Sequence, residues 1–271
     1  MKAEDLKLIV QEKYGEIAKQ SKIQGQSSCC GPSGCCGGLE FSMIGDEYAN
    51  IEGHNTDADL GLGCGLPTQY AEIKAGNHLL DLGSGAGNDC FVARSIVGET
   101  GHVTGIDFTD AMLDKANKNL EKTGFKNIDF VKGDIEQMPL HDNSFDVVVS
   151  NCVLNLVPDK QKAFSEIYRV LKPGGHFCIS DVVLTGELPQ KLQEAAEMYA
   201  GCVSGAILKD AYIAIIREQG FTNVEVKKEK EIEIPNNILL NYTTLDEIRE
   251  FKRKKIGIYS ITVNATKNGQ Q

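Results

Sequence analysis

Nine cysteines in 271 residues is an odd number, so complete internal pairing is impossible. Four fall in one cluster, SSCCGPSGCCGG, as Cys29, Cys30, Cys35 and Cys36, and five stand alone at Cys64, Cys90, Cys152, Cys178 and Cys202. Three of the single ones sit in loop-like contexts: Cys64 in GLGCGLPTQYA, Cys152 in SNCVLNLVPDK and Cys202 in EMYAGCVSGAIL. Three soft thiolates without a histidine or carboxylate partner at the same loci select a soft, thiophilic centre over magnesium, calcium or manganese. Cys90, on a helical stretch, and Cys178, inside GGHFCISDVV, read instead as small buried hydrophobes. The five histidines are scattered without metal-ligand spacing and read as structural or surface residues.

A second motif could hold a small molecule. In LLDLGSGAGNDC, Asp81 closes an apolar run, and Gly83, Ser84, Gly85 and Gly87 form a turn whose backbone can approach a ligand at a helix N-terminus. The dinucleotide fingerprint would need a glycine at position 88, which is Asn88, so a pyrophosphate-binding turn is not matched. Twenty residues past Gly87, Asp107 ends VTGID, where a carboxylate can accept both hydroxyls of a ribose. KGDIEQMPL then offers Asp134 and Ile135 as an edge and an apolar face for an adenine, with Met112 as a second apolar face. A nucleoside without phosphates suits this set best. Asn151, beside Cys152, completes the candidate cofactor residues.

These residues need a scaffold that brings loop ends together. The spacing predicts strands at 78–82, 102–107, 128–132, 145–150 and 176–184, with helices at 88–97, 110–121 and 160–170 between them. Strands alternating with helices imply an α/β fold with a mostly parallel, doubly wound sheet. A helix near 208–219, a strand near 222–229, a helix near 244–254 and the run IGIYSITVNATK predict a late antiparallel hairpin at the sheet edge. At the start, Leu6, Ile9, Val10, Tyr14, Ile17 and Ala18 share a face of an amphipathic helix. Residues 24–70 show no period and read as an irregular Cys/Gly-rich segment. The chain divides on this reading into a helix and Cys-rich segment (1–70), a nucleoside-binding core (71–185) and an excursion that completes the sheet (186–271).

Formal net charge of -10 leaves no broad positive field for a nucleic acid, and FKRKK reads as a solvated helix face. No apolar run is long enough to cross a bilayer and no export signal is visible, so a cytoplasmic, monomeric protein without membrane partners is expected.

On the expected fold, Cys152 lies just past the fourth strand on the same rim as the glycine turn, and two other loops can bring Cys64 and Cys202 to it. Trivalent arsenic fits three such thiols, since it bonds three sulfurs in a pyramid and keeps a lone pair on the open side. DLGSGAG, Asp107 and GDIEQMP resemble the S-adenosylmethionine signature of the Rossmann-like class I methyltransferases, from about residue 76 to about residue 184. With LGCGLP, GHVTGIDFT, SNCVLNLVPDK and GCVSGA, the chain resembles the arsenite S-adenosylmethionine methyltransferases. That resemblance implies that Cys64, Cys152 and Cys202 bind As(III) and that arsenite and methylarsenite are substrates. It also implies that Cys35 or Cys36 shares a redox step with Cys64, reopened by a cellular thiol reductant such as thioredoxin or glutathione. Two alternatives stand beside it: a thiol-rich sequestration protein on a methyltransferase fold, and a methyltransferase for another small molecule.

Overall fold

The computed structural model describes residues 3–19, 48, 51–192, 203, 205–254 and 256–269. Its apolar runs form a seven-stranded sheet: β1 (His78–Leu82), β2 (His102–Asp107), β3 (Ile128–Lys132), β4 (Phe145–Asn151), β5 (Leu171–Leu184), β6 (Phe221–Glu231) and β7 (Ile258–Lys267). The order is β3-β2-β1-β4-β5-β7-β6. β1 to β5 run parallel to one another, whereas β7 runs antiparallel to both β5 and β6, in the hairpin that forms the edge. This is the mixed α/β sheet that the alternation predicts.

The two faces of the sheet are filled by alternate residues of the same strands. Leu79, Val147, Val149 and Cys178 belong to one buried cluster with Phe91 and Ala93 of α3 (Asn88–Val97). Leu80, Leu82, Val148, Phe177 and Ile179 belong to another, with Phe164 and Ile167 of α5 (Lys160–Val170) and Tyr212 and Ile216 of α6 (Lys209–Glu218). A strand buried on both faces is apolar through its middle, which is why Leu79–Leu80 of β1 and Val147–Val149 of β4 read as continuous hydrophobic runs. Between β2 and β3 lies α4 (Asp110–Thr123), packed on both strands.

Chain order reverses between β1 and β4, so their carboxyl ends open a crevice at the switch point. The glycine turn after β1 stands on one side of that crevice and Cys152 on the other. Gly87 closes the turn at φ +96°, and a Cβ there would come within 2.7 Å of Phe130 Cζ, so no other residue fits.

Several sequence expectations are refined. The fifth strand starts at Leu171 rather than 176, because KPGG is absorbed as an irregularity in the β4–β5 pairing instead of forming a turn. In α1 (Ala3–Lys19), Val10 is buried and Leu6, Tyr14, Ile17 and Ala18 are partly covered, but Ile9 is 52% exposed and belongs to the outer face. Asp159 caps α5 by accepting the Lys162 N–H at 3.0 Å. Three further short elements, α2 (Pro67–Tyr70), α7 (Asn236–Leu239) and the 3-10 turn Leu154–Leu156, carried no clear sequence signal. In α8 (Leu245–Arg253) and just beyond it, Lys252, Arg253 and Lys254 are exposed, as FKRKK implied. No helix among the described residues is long and apolar enough to cross a membrane.

One buried carboxyl carries a measurable consequence. Asp181 on β5 is fully buried, accepts the Tyr212 hydroxyl at 3.2 Å and the Val182 N–H at 3.0 Å, and is pushed up to about 7 chiefly by burial. Its folded-state value lies above its unfolded one, so its contribution to stability is complete below about pH 4 and is lost as pH rises through about 7. Thermal melts of parent and Asp181→Asn should therefore diverge between about pH 4 and about pH 8, the parent losing stability relative to the variant. Parallel profiles would show that Asp181 titrates normally.

Candidate active site

The crevice at the switch point holds about 900 Å³ of space, its open mouth included. Its floor is Asp81, 2% exposed at the end of β1, with Gly83, Ser84 and Gly85 of the turn. Asp107 ends β2 on the next side. One of its oxygens accepts the Gly85 N–H at 3.0 Å and the other the Thr109 N–H at 2.8 Å, so the carboxylate ties the turn to the start of α4. Burial raises its pKa despite these donors. Met112 and Ile135 supply apolar wall, and Asn151 and Cys152 close the opposite side. Ser84 Oγ is buried with no hydrogen-bond partner among the described residues, which leaves a polar atom in the wall unsatisfied.

Two of the expected cofactor residues lie elsewhere. Gly87 sits behind the turn, where it sets the direction of α3. Asp134 is outside the wall, its carboxylate accepting Lys7 Nζ at 2.6 Å and the Glu136 N–H at 2.9 Å, while Lys7 also bonds Glu136. That ion pair holds α1 across the crevice, so Val10 and Tyr14 become part of the wall. The apolar face of α1 was legible, but nothing in the sequence said what it covers. Tyr48 and Asp89, which also line the site, gave no sequence signal.

Two of the single cysteines share a buried cluster beside this crevice. Cys64 and Cys152, 3% and 4% exposed, belong to one small buried cluster with Val182, Val203, Ile232 and Ile258. Cys152 takes φ +63°, a left-handed conformation that costs a residue with a Cβ about 1 to 2 kcal/mol. Its N–H bonds the Ser180 carbonyl at 2.8 Å, which fixes the turn off the end of β4. Cys35, Cys36 and Cys202 lie outside the described residues, and Cys202 directly precedes Val203 of the cluster. Among the described residues no three His, Cys, Asp or Glu side chains gather as a metal site. Cys90 and Cys178 are fully buried, and burial pushes both thiols up, as expected of packing residues. Cys90 also donates to Asp81 at 3.2 Å, a contact the sequence did not suggest.

Asn151, expected on the cofactor, lines the crevice but spends its amide on the Cys64 loop. Its Oδ1 accepts the N–H groups of Cys64 at 3.0 Å and Gly65 at 3.3 Å, and its Nδ2 donates to the Gly65 carbonyl at 2.9 Å. The Ser260 hydroxyl donates to the Cys64 carbonyl at 2.6 Å from the other side. Asn151→Ala would strand these groups, and a loss of about 1 to 3 kcal/mol in urea unfolding is expected. A change of only a few tenths would mean that water replaces the amide at no cost.

Comparison with known proteins agrees with this fold. Residues 73–233 match the methyltransferase domain family. The arsenite methyltransferase of Halobacterium salinarum is 48% identical over 174 residues, 64% of this chain and 44% of that protein. The arsenite methyltransferase of Homo sapiens is 40% identical over 186 residues, 65% of this chain and 49% of that protein. This chain thus spans about half the length of those curated relatives. The crystal structure of an arsenic (III) S-adenosylmethionine methyltransferase from Chlamydomonas reinhardtii superposes with a TM-score of 0.64 at 37% identity, covering 77% of this chain and 69% of that one. By sequence and by fold, the chain belongs to the methyltransferase domain family and, within it, to the arsenic (III) S-adenosylmethionine methyltransferases.

Proposed function

We propose that this protein is an enzyme that transfers a methyl group from S-adenosylmethionine to trivalent arsenic held by the thiolates of Cys64, Cys152 and Cys202. The observation that carries the reading is the burial of Cys64 and Cys152 in one cluster, Cys152 lining the crevice, with the residue after Cys202 in the same cluster. Unlike Cys90 and Cys178, which are buried away from the crevice wall, Cys152 lines the crevice and shares its cluster with a cysteine 88 residues away in sequence.

The residues of the crevice fit the cofactor. Ser84 Oγ lacks a partner in the wall, the Asp107 carboxylate has lone pairs left for ribose hydroxyls, and Met112 and Ile135 offer apolar faces to an adenine. Bound there, S-adenosylmethionine would supply a methyl group on a sulfonium centre. Asp107 and the Gly83–Gly85 backbone would hold the nucleoside, while α1, through Val10 and Tyr14, would keep water out.

The thiolates orient the substrate. Arsenite exchanges three oxygens for three sulfurs, each thiol proton leaving with a hydroxide as water, and the pyramid turns the arsenic lone pair to its open side. That lone pair would be the nucleophile toward the sulfonium methyl that the bound cofactor would supply, so no general base is needed from the chain and its thiolates contribute by position. Arsenic is formally oxidised by two electrons in that step. A dithiol of Cys64 with Cys35 or Cys36 returns them by becoming a disulfide, and a cellular thiol reductant such as thioredoxin or glutathione reopens it. Methylarsenite already carries one carbon and takes two thiolates, which we assign to Cys152 and Cys202.

The test is to incubate the protein with arsenite, a thiol reductant and S-adenosylmethionine and to separate the arsenic species. Methylated arsenic is expected from the parent, and Cys152→Ser should lose methylation of both arsenite and methylarsenite, because a hard oxygen is a poor ligand for the soft centre. A Cys152→Ser protein that works at the parent rate on either substrate would reduce this thiol to packing. A parent that methylates no arsenic under any reducing condition would leave the sequestration reading in its place.

A further inference from the structure

The thiol loop is fastened to the crevice by a hydrogen-bonded knot that no step above uses. Asn151 Nδ2 donates to the Tyr48 hydroxyl at 2.6 Å and lies 3.2 Å from Asp89 Oδ2, and the Tyr48 hydroxyl donates to the Asp89 carboxylate at 2.8 and 3.0 Å. Tyr48 is 9% exposed, packed with Leu66 and Val92. Asp89 sits in the first turn of α3, two residues past the glycine turn. Asn151 ends β4, one residue before Cys152. The knot therefore links three things: the helix that starts at the glycine turn, the strand end that carries Cys152, and the loop that carries Cys64.

We infer that Tyr48 and Asp89 are positioning residues for Cys64, holding the Asn151 amide in the one orientation that grips the Cys64 backbone. An asparagine amide can present oxygen or nitrogen to the loop, and only one choice accepts the Cys64 and Gly65 N–H groups. Tyr48 and Asp89 are both acceptors facing Asn151, so they select nitrogen on their side and oxygen on the side of Cys64. The fit leaves no slack, since a Cβ on Gly63 would lie 2.5 Å from Asn151 Nδ2. Cys64 is thereby placed relative to Cys152 through the residue that precedes Cys152 in the chain. This inference rests on the proposed arsenic chemistry for its consequence, and on the hydrogen bonds alone for the placement of the loop.

The two parts are tested separately. Tyr48→Phe keeps the packing and removes the hydroxyl. Alkylation of individual cysteines by iodoacetamide, followed by mass spectrometry, should show Cys64 reacting about ten-fold faster in Tyr48→Phe, the equivalent of one net hydrogen bond, with Cys152 unchanged. In activity assays the variant should lose arsenite methylation by about ten-fold and keep methylarsenite methylation within about two-fold, since the second substrate does not need Cys64. Its thermal shift with S-adenosylhomocysteine should match the parent's. Asp89→Asn, which can turn its amide nitrogen toward Asn151, should show the same selective loss. Unchanged Cys64 alkylation in both variants, or an equal loss on both substrates, would overturn the inference. A parent inactive on arsenic would fail the proposed function alone, because the alkylation readout needs no turnover.

Discussion

The amide of Asn151 is the constraint on which the site depends. It has two N–H bonds and an oxygen, and around it stand the Gly65 carbonyl, the Tyr48 hydroxyl and the Asp89 carboxylate on one side and two loop N–H groups on the other. With acceptors gathered on the nitrogen side and two N–H donors on the oxygen side, one orientation of the amide is workable in this partly buried setting. The geometry that results fixes Cys64 against the end of β4 before any substrate arrives. In Asp89, burial raises the pKa to about 6, and the bonds from Tyr48 and Asn151 work against that rise. A carboxylate kept ionised there at neutral pH is one the knot itself stabilises.

Cys152 carries the other half of the arrangement. A left-handed cysteine is strain, and strain of about 1 to 2 kcal/mol persists only where the surroundings over-determine it. Here the Ser180 carbonyl holds the Cys152 N–H, and the thiol is buried beside Val182. The chain turns at the carboxyl end of β4, where ligands gather in open α/β sheets, so the strained turn places Cys152 in the crevice wall at the switch point. Burial of the two thiols among Val182, Val203, Ile232 and Ile258 also keeps hard, hydrated ions at a disadvantage.

Much of this was legible in the sequence. The parallel core could be read because β1 and β4 are apolar on both faces, and the turn because Gly83, Gly85 and Gly87 follow a strand directly. Cys64 and Cys152 stood out because loop cysteines in a chain with odd cysteine count need a reason other than pairing. What stayed hidden was the second layer. Tyr48, Asp89 and Lys7 meet their partners across 103, 62 and 127 residues, and a hydrogen bond at such separation leaves no period or spacing to read. Asn151 was visible as a polar residue at a strand end, but its hydrogen bonds to the Cys64 loop, Tyr48 and Asp89 were not. The ion pair of Asp134 with Lys7 was hidden for the same reason, since Lys7 lies on a helix whose docking the sequence did not fix.

The central claim is that arsenic sits on sulfur from three separate segments of this chain. X-ray absorption at the arsenic edge, on protein loaded with one equivalent of arsenite under reducing conditions, tests it without requiring turnover. The account predicts an arsenic shell of three sulfur neighbours in the parent, falling to two sulfurs and one oxygen in Cys64→Ser. A shell dominated by oxygen in the parent, or an unchanged sulfur shell in Cys64→Ser, would contradict it.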